Sequence, residues 1–211
     1  MKNVLILIMM IWVTSCSINN PSKEVATNPD TYETAYEKAS TSKQLIDTIF
    51  MGLRFGMSEK QVSSYLRKML HDGKIRANDL GQYEYVFKTR DADISATLGA
   101  NYFNGKLYEF IINLDTYYIN GVPLNTMSMD VISDGVKGLF IIKYLKEEKG
   151  FKKYNYNNGL GNSICYIKDN LAIDISPLGV IRYTNVPIER KKASSDNKKK
   201  SSAITETLSD L

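Results

Sequence analysis

The first regular pattern of hydrophobic and polar positions in the folded part of the chain has the period of an α-helix. Ser58 and Gln61 have the spacing of a capping box at a helix N-terminus, and Gly73 suits the left-handed turn that ends a helix. The sequence therefore predicts a helix that begins after Ser58 and ends at about His71, whose imidazole favours a helix C-terminus. The apolar face of this helix consists of Val62, Tyr65, Leu66, Met69 and Leu70.

After this helix the apolar residues alternate with polar ones, which is the period of a half-buried strand. The pair Asn104-Gly105 favours a type I′ hairpin turn between two strands. Alternation places Phe110 on one face of its strand and Leu107 on the other. Strands are predicted at about 83–88, 94–103, 106–114, 151–157, 162–168, 171–176 and 179–184, with a short strand or extended entry at 49–56.

A second amphipathic helix is predicted at about 129–149, so the chain has a helix followed by a meander, twice. This order predicts an α+β fold in which two helices pack on one side of antiparallel β-meander sheets. A tandem α-β-β-β repeat, with halves 43–120 and 121–188, has the same order of elements.

The N-terminus has the polar and apolar pattern of a secreted precursor. Lys2 precedes an apolar run from Val4 to Val13. A bilayer needs about 20 apolar residues in a helix, so this run fits the core of a signal peptide better than a membrane span. Its end, Val13-Thr14-Ser15-Cys16, resembles the lipobox of bacterial lipoproteins, which implies cleavage before Cys16 and lipid on its thiol. The alternatives are an ordinary signal peptide with a chance cysteine, or a buried strand.

These patterns divide the chain into four segments: signal peptide 1–15, lipidated cysteine and flexible tether 16–42, α+β domain 43–188, and disordered basic tail 189–211. Ser17, with no aspartate beside the cysteine, favours the outer membrane. The absence of an early acidic run favours the side that faces the periplasm. The net charge is +4, and much of it lies in the Lys-rich tail, so nucleic acid is not an expected partner. The tail either contacts anionic lipid or is a solvated end.

Residues that carry chemistry are sparse. His71 is the one histidine, and Cys165 has no disulfide partner once Cys16 is acylated. We expect Cys165 to be a small buried hydrophobe, the alternative being a reactive thiol. Asp91 and Asp93 suit turn chemistry better than catalysis or Ca²⁺ binding. The expectation is therefore no enzyme, no cofactor and no metal site.

Tyrosine is unusually frequent, with 14 residues against seven phenylalanines. Tyrosine is favoured where an amphipathic ring meets a partner protein, and half-buried sheet packing is the alternative. The candidate partner-binding residues are Tyr83, Tyr85, Tyr102, Tyr108, Tyr117 and Tyr118.

The segment Gly56-Met57-Ser58-Glu59-Lys60-Gln61-Val62, followed by Leu66, resembles the opening of small envelope modules. These are the barrel-assembly accessory lipoproteins of the SmpA/BamE type and the β-lactamase-inhibitor-like modules. The whole chain resembles, in style, uncharacterised envelope lipoproteins of Bacteroidetes. The resemblance implies helices on an antiparallel sheet that bind other proteins. We therefore expect a non-enzymatic, lipid-anchored protein that binds another envelope component, the alternative being an envelope hydrolase or a small-ligand carrier with an unrecognised site.

The lipid anchor gives a direct test. We expect Cys16→Ala to abolish incorporation of labelled palmitate and to release the protein from the membrane fraction, because only the thiol forms the thioether to the lipid. Cys165→Ala is the matched control and should keep both properties. Continued membrane fractionation of the Cys16→Ala protein would contradict the anchor.

Overall fold

The computed structural model of the chain describes residues 30–88, 93–119, 122–123, 150–157, 159 and 161–209. Within these residues, three α-helices and one antiparallel sheet form an α+β fold. The helices are α1 (Tyr32–Ser40), α2 (Glu59–His71) and α3 (Val186–Ser209). The strands are β1 (Arg76–Ala77), β2 (Tyr83–Lys88), β3 (Asp93–Phe103), β4 (Lys106–Ile119), β5 (Val122–Pro123), β6 (Lys152–Asn157), β7 (Asn162–Lys168), β8 (Leu171–Ile175) and β9 (Val180–Asn185).

The sheet consists of two four-stranded meanders joined edge to edge. Its order is β1-β2-β3-β4-β9-β8-β7-β6, and the short β5 pairs with β4 outside this path. Residues 109–113 of β4 pair with 180–184 of β9 to make the junction. The strand order is symmetric about this pair. The predicted second helix, at about 129–149, lies outside the described residues, which do not establish a tandem repeat.

Helix α2 has both of the end signals that its sequence predicted. Ser58 Oγ accepts a hydrogen bond from the Gln61 N–H at 3.3 Å, and Gln61 Oε1 accepts one from the Ser58 N–H at 2.7 Å. At the other end Gly73 has φ 68°, and the Lys74 N–H bonds the Met69 carbonyl at 2.9 Å. The predicted helix is therefore confirmed, and it is closed by a Schellman turn.

The hairpin between β3 and β4 turns as predicted but contains a bulge. Asn104 and Gly105 have φ values of 50° and 70°, as a type I′ turn requires. The register then changes between Asn101 and Tyr102, and Tyr108 of β4 is left as the extra residue. A bulge reverses the alternation of side chains. Leu107 therefore joins the same core as Phe110, and the prediction that the two lie on opposite faces was wrong.

One face of the sheet, here called the inner face, carries the main core beneath α2. The segment predicted as a strand at 49–56 contains instead a short 3₁₀ turn at Phe50–Gly52. Met51 has φ 55°, and its carbonyl accepts a hydrogen bond from the Tyr65 hydroxyl of α2 at 2.8 Å. The largest fully buried side chains of the protein are Phe110, Leu53, Leu107, Ile112, Leu114, Ile173, Ile175, Ile181 and Val62.

The opposite, outer face is covered by α1 and α3 over the second meander. Strands β7 and β8 bury residues on both faces, so both faces need a covering layer. The prediction that the helices pack on one side of the sheet is corrected accordingly. The second, smaller core consists of Ala35, Ala39, Cys165, Ile167, Ala172 and Val186.

Two predicted flexible segments contain helix in the structure. Helix α1 lies within the predicted tether 16–42, since Thr31 and Thr34 form a capping box and the helix buries Ala35 and Ala39. Helix α3 covers most of the predicted disordered tail 189–211, and Val186 in its first turn is completely buried. The Lys/Ser-rich sequence of α3 has little apolar periodicity, which is why the pattern predicted disorder there. Among the described helices, none is both long and apolar enough to cross a bilayer.

The core gives a stability prediction. We expect Phe110→Ala to lower the free energy of unfolding by about 3–5 kcal/mol, because it leaves a cavity under both α2 and the β4–β9 junction. Urea denaturation measures this loss. Leu178→Ala is the control, since Leu178 is 59% exposed and its truncation should cost less than about 0.5 kcal/mol. Equal losses for the two variants would contradict the assignment of the core.

Candidate binding surfaces

Three of the tyrosines predicted to meet a partner pack against the main core instead. Tyr83 and Tyr85 of β2 and Tyr102 of β3 are half-buried on the inner face. The Tyr85 ring lies 5.2 Å from the Phe50 ring and 4.7 Å from the Phe87 ring, edge to face in both cases. Such ring pairs stabilise a core. Half-buried sheet packing is therefore the better description of these three residues.

The remaining candidates do not join them in one surface. Tyr108 was predicted to be exposed, but it is only 7% exposed, and it lies near Glu189, Lys192 and Asp196 of α3 on the outer face. Burial is the main cause that raises the pKa of Tyr108. Its exposure was mispredicted because the bulge and α3 were not foreseen. Tyr117 and Tyr118 lie in β4, but their side chains, like all of Cys16, fall outside the described residues.

Aromatic stacking attaches α1 to the outer face of the sheet. The Tyr32 ring of α1 stacks on the Tyr156 ring of β6, with the centroids 4.0 Å apart and the planes 7° from parallel. The Tyr36 hydroxyl donates a hydrogen bond to Glu189 Oε2 of α3 at 2.6 Å. These contacts place α1 between the β6 edge and α3. Burial raises the pKa of all three tyrosines, so they stay neutral hydrogen-bond donors.

Ion pairs add to this attachment at the start of α1. Asp30 Oδ2 accepts hydrogen bonds from Lys152 Nζ at 2.9 Å and from the Tyr154 hydroxyl at 3.1 Å, both on β6. The bond from Lys152 is the main cause that lowers the pKa of the Asp30 carboxyl. These groups are exposed, so each bond contributes little alone. They nevertheless hold Asp30, just before α1, against β6.

A thiol and a carboxylate lie opposite each other beneath this cluster. Cys165 of β7 pairs with Asp174 of β8. Burial, and then the charge of Asp174, raises the pKa of the Cys165 thiol. Because only the thiolate is a good nucleophile, this environment keeps the cysteine unreactive, as expected of a buried hydrophobe.

Asp174 is the most unusual charged group of the described residues. Burial raises the pKa of its carboxyl, while the Tyr156 hydroxyl and the charge of Arg182 act against that rise. Its Oδ1 atom and the Oγ of Ser163 are buried without a hydrogen-bond partner among the described residues. An unpaired buried oxygen costs about 1–3 kcal/mol. We therefore expect the ionised carboxylate of Asp174 to weaken the fold.

Much of the outer face of the first meander is half-buried, although Ser95 and Tyr108 on this face are buried. Of the described helices, α1 lies against β6, β7 and β8, and α3 lies against β4 and β9. Gly99 in the middle of β3 pairs with Ile111 of β4. A Cβ built on Gly99 would lie 3.6 Å from the Ile111 Cβ, an ordinary contact distance. The name open strip is used here for six of the half-buried or exposed residues on this face, namely Val86, Thr97, Gly99, Asn101, Ile111 and Asn113.

An apolar groove of about 580 Å³ opens on the inner face beside the 3₁₀ turn. Phe50, Ile173 and Tyr183 contribute to its wall. The cation of Lys168, which also lines the groove, lies 5.9 Å from the centre of the Phe151 ring. The groove therefore combines apolar walls with a polar group at Lys168, and such a lining suits an amphipathic ligand.

Comparison with known proteins gives no further guide to the site. No protein-family model matches the sequence, and neither a curated protein nor a solved structure is significantly similar to it. Within the described residues, no group of three or more His, Cys, Asp or Glu side chains is arranged to hold a metal ion.

Two of these features were missed in the sequence for different reasons. Gly99 is a glycine inside a strand pattern, which signals a bulge or a close approach. The pattern does not indicate which face of the sheet Gly99 lies on. The pairing of Asp174 with Cys165 follows from the tight turn between β7 and β8, but the burial of Cys165 beside Ala35 and Ala39 depends on α1, which the sequence pattern did not predict as part of the core.

Asp174 generates a pH prediction. We expect Asp174→Asn to stabilise the protein at pH 7, because it removes a half-buried negative charge but keeps an oxygen for the Tyr156 hydroxyl. The pKa of this carboxyl is higher in the folded protein than its ordinary value of 3.8 in the unfolded chain. Stability is therefore lost as the pH rises from about 3.8 through the folded-state pKa. Below about pH 3.8 the carboxyl is protonated in both states, and no stability is lost.

Urea denaturation at several pH values measures the difference between the two proteins. The stability gain of Asp174→Asn should shrink toward zero on acidification. Asp79→Asn, at an exposed position in the turn before β2, is the control and should show no such gain. A destabilised Asp174→Asn protein at pH 7 would contradict the role given to burial.

Proposed function

We propose that this protein is a lipid-anchored component of a bacterial envelope that acts by binding another envelope protein, and that the open strip is its binding surface. The anchor rests on the Cys16 motif. The binding role rests on the surface chemistry of the first meander. The most favourable location is the outer membrane, on the side that faces the periplasm.

The observation that carries the binding role is Gly99. A glycine inside a long strand weakens that strand, and it is typical of a site where another backbone or ligand approaches closely. Gly99 has no positive φ that would demand glycine, and among the described residues a Cβ there would contact only Ile111, at an ordinary distance. The packing of the described residues therefore gives no reason for glycine at this position, whereas close contact with a partner would.

The chemistry of the open strip supports the same role. Ile111 and Val86 offer apolar contacts, while Thr97 and Asn113, which pair directly across the strands, offer hydrogen-bonding groups. Asn101 Nδ2 donates to Glu109 Oε2 at 2.5 Å at one end of the strip. An apolar centre with polar groups around it is the usual composition of a protein interface.

The attachment of α1 supports a fixed presentation of this surface. Asp30, which lies between Cys16 and α1 in the sequence, is bound by Lys152 and Tyr154 at the β6 end of the sheet. The open strip lies on β2, β3 and β4, at the other end of the strand order. An anchor attached at one end of the sheet leaves the opposite end accessible to a partner.

The apolar groove favours a second candidate function, a carrier of an amphipathic ligand. Its volume of about 580 Å³ is within the range of small-molecule sites. A lipid that copurifies with the protein and is lost when Ile173 is enlarged to Trp would favour this candidate over the binding module.

The binding role is tested by crosslinking in living cells. A photoreactive amino acid at Thr97, on the open strip, should crosslink one envelope protein reproducibly. The same probe at Lys60, on the exposed side of α2, is the position control and should not. We expect Gly99→Arg to reduce the crosslinked product at least tenfold, because its side chain would occupy the space of the partner.

Gly99→Ala is the matched control for this substitution. The added methyl group fits beside Ile111, and alanine costs a strand less backbone entropy than glycine. The Gly99→Ala protein should therefore be folded at least as stably as the original. A crosslink that survives Gly99→Arg unchanged would exclude the open strip as the binding surface.

A further inference from the structure

A shallow groove of about 440 Å³ lies where the end of α1 meets the exposed side of α3. The lining is entirely basic or small and polar except for one proline. Its described lining residues are Ser40, Pro187, Arg190, Lys191, Ser194, Ser195 and Lys198.

The positive charge of this groove is only partly neutralised. Arg190 is paired with Glu37 of α1 at 2.9 Å and lies over the Tyr36 ring. Lys191 and Lys198 are exposed and form no ion pair with another described residue. The Lys192–Asp196 pair, at 2.7 Å, lies further round the helix on its half-buried side. Two free ammonium groups thus project from one side of α3, next to serine hydroxyls that donate hydrogen bonds to phosphate oxygens.

The groove is formed mainly by α3, and Ser40 at the end of α1, the first described helix, completes its lining. Thirteen residues lie between Cys16 and Asp30, so Asp30 lies within about 50 Å of Cys16 even when that segment is fully extended. A surface so close to the anchor is within reach of the bilayer.

From this charge and position we propose that the α1–α3 groove docks on the membrane that carries the anchor, with Lys191 and Lys198 against the phosphates of anionic phospholipid headgroups. The choice of the membrane on which the groove docks rests on the proposed anchor at Cys16. The affinity of the groove for anionic lipid does not depend on that anchor. Docking holds the outer face of the second meander toward the membrane, so that the folded body is oriented on the surface in addition to being tethered to it.

The expected effect follows from the electrostatics of anionic membranes. Each Lys or Arg beside such a surface strengthens binding about fivefold. Neutralising Lys191 and Lys198 together should therefore weaken the preference for anionic vesicles about 25-fold, and added salt should weaken it further.

The test uses the full chain with Cys16→Ser, which cannot be acylated, so its outcome is independent of the anchor. Partitioning is measured on phosphatidylcholine vesicles with and without 30% phosphatidylglycerol, and the ratio of the two partition coefficients is compared between variants. The apolar N-terminus can bind both types of vesicle. Taking the ratio cancels this contribution, because it is the same for both. The test variant is Lys191→Gln/Lys198→Gln, and the matched control is Lys60→Gln/Arg67→Gln, an equal loss of charge on the exposed side of α2.

A loss of about 25-fold in the groove variant, with less than a twofold change in the control, would support the proposal. Equal ratios in the groove variant and the parent protein would overturn it. A similar loss in both variants would also overturn it, since net charge and not the groove would then determine binding. Unchanged vesicle binding together with weakened retention on heparin would assign the groove to a soluble polyanion instead. Circular dichroism of each variant establishes that the helices are intact.

Discussion

The pairing of β4 with β9 is the interaction on which the rest of this structure depends. It joins strands that are about 70 residues apart in the chain, and it makes one sheet from two meanders that would otherwise each have an open edge. Phe110 pairs with Tyr183 and Ile112 with Ile181 across this junction, and both Ile112 and Ile181 are completely buried. Small sheets with open edges are poorly stable on their own. The junction stabilises both halves because it gives them a common core.

The two halves of the sheet are covered differently, and this difference defines the surfaces available for function. The second meander carries apolar residues on both faces, so α1 and α3 cover its outer face. The first meander has polar and small residues on its outer face, where Thr97, Gly99 and Asn101 alternate with core residues of β3. Among the described residues, helices therefore cover much of the outer face of the second meander, whereas the open strip of the first meander is half-buried or exposed.

Burial also decides which titratable groups carry chemistry. Cys165, Tyr32 and Tyr156 look reactive by composition, but burial raises their pKa values and keeps them neutral. By contrast, the side chains of Lys191 and Lys198 of α3 are exposed at the surface. The interior cluster therefore attaches α1 to the body, and the exposed cations are available to a partner of opposite charge.

The sequence by itself determined the local elements of this protein. The capping residues and apolar period of α2, the Asn104-Gly105 turn and the alternation along β7 and β8 depend on neighbours within a few residues, and each of these elements lies where its pattern predicted. Only the tertiary structure decided that Leu107 faces the main core, that Tyr108 is buried under α3, and that α1 and α3 are helical. These depend on a bulge, a strand register and packing between distant segments. Contacts across 100 or more residues, such as those of Tyr32 with Tyr156 and of Tyr36 with Glu189, have no signature in either local sequence.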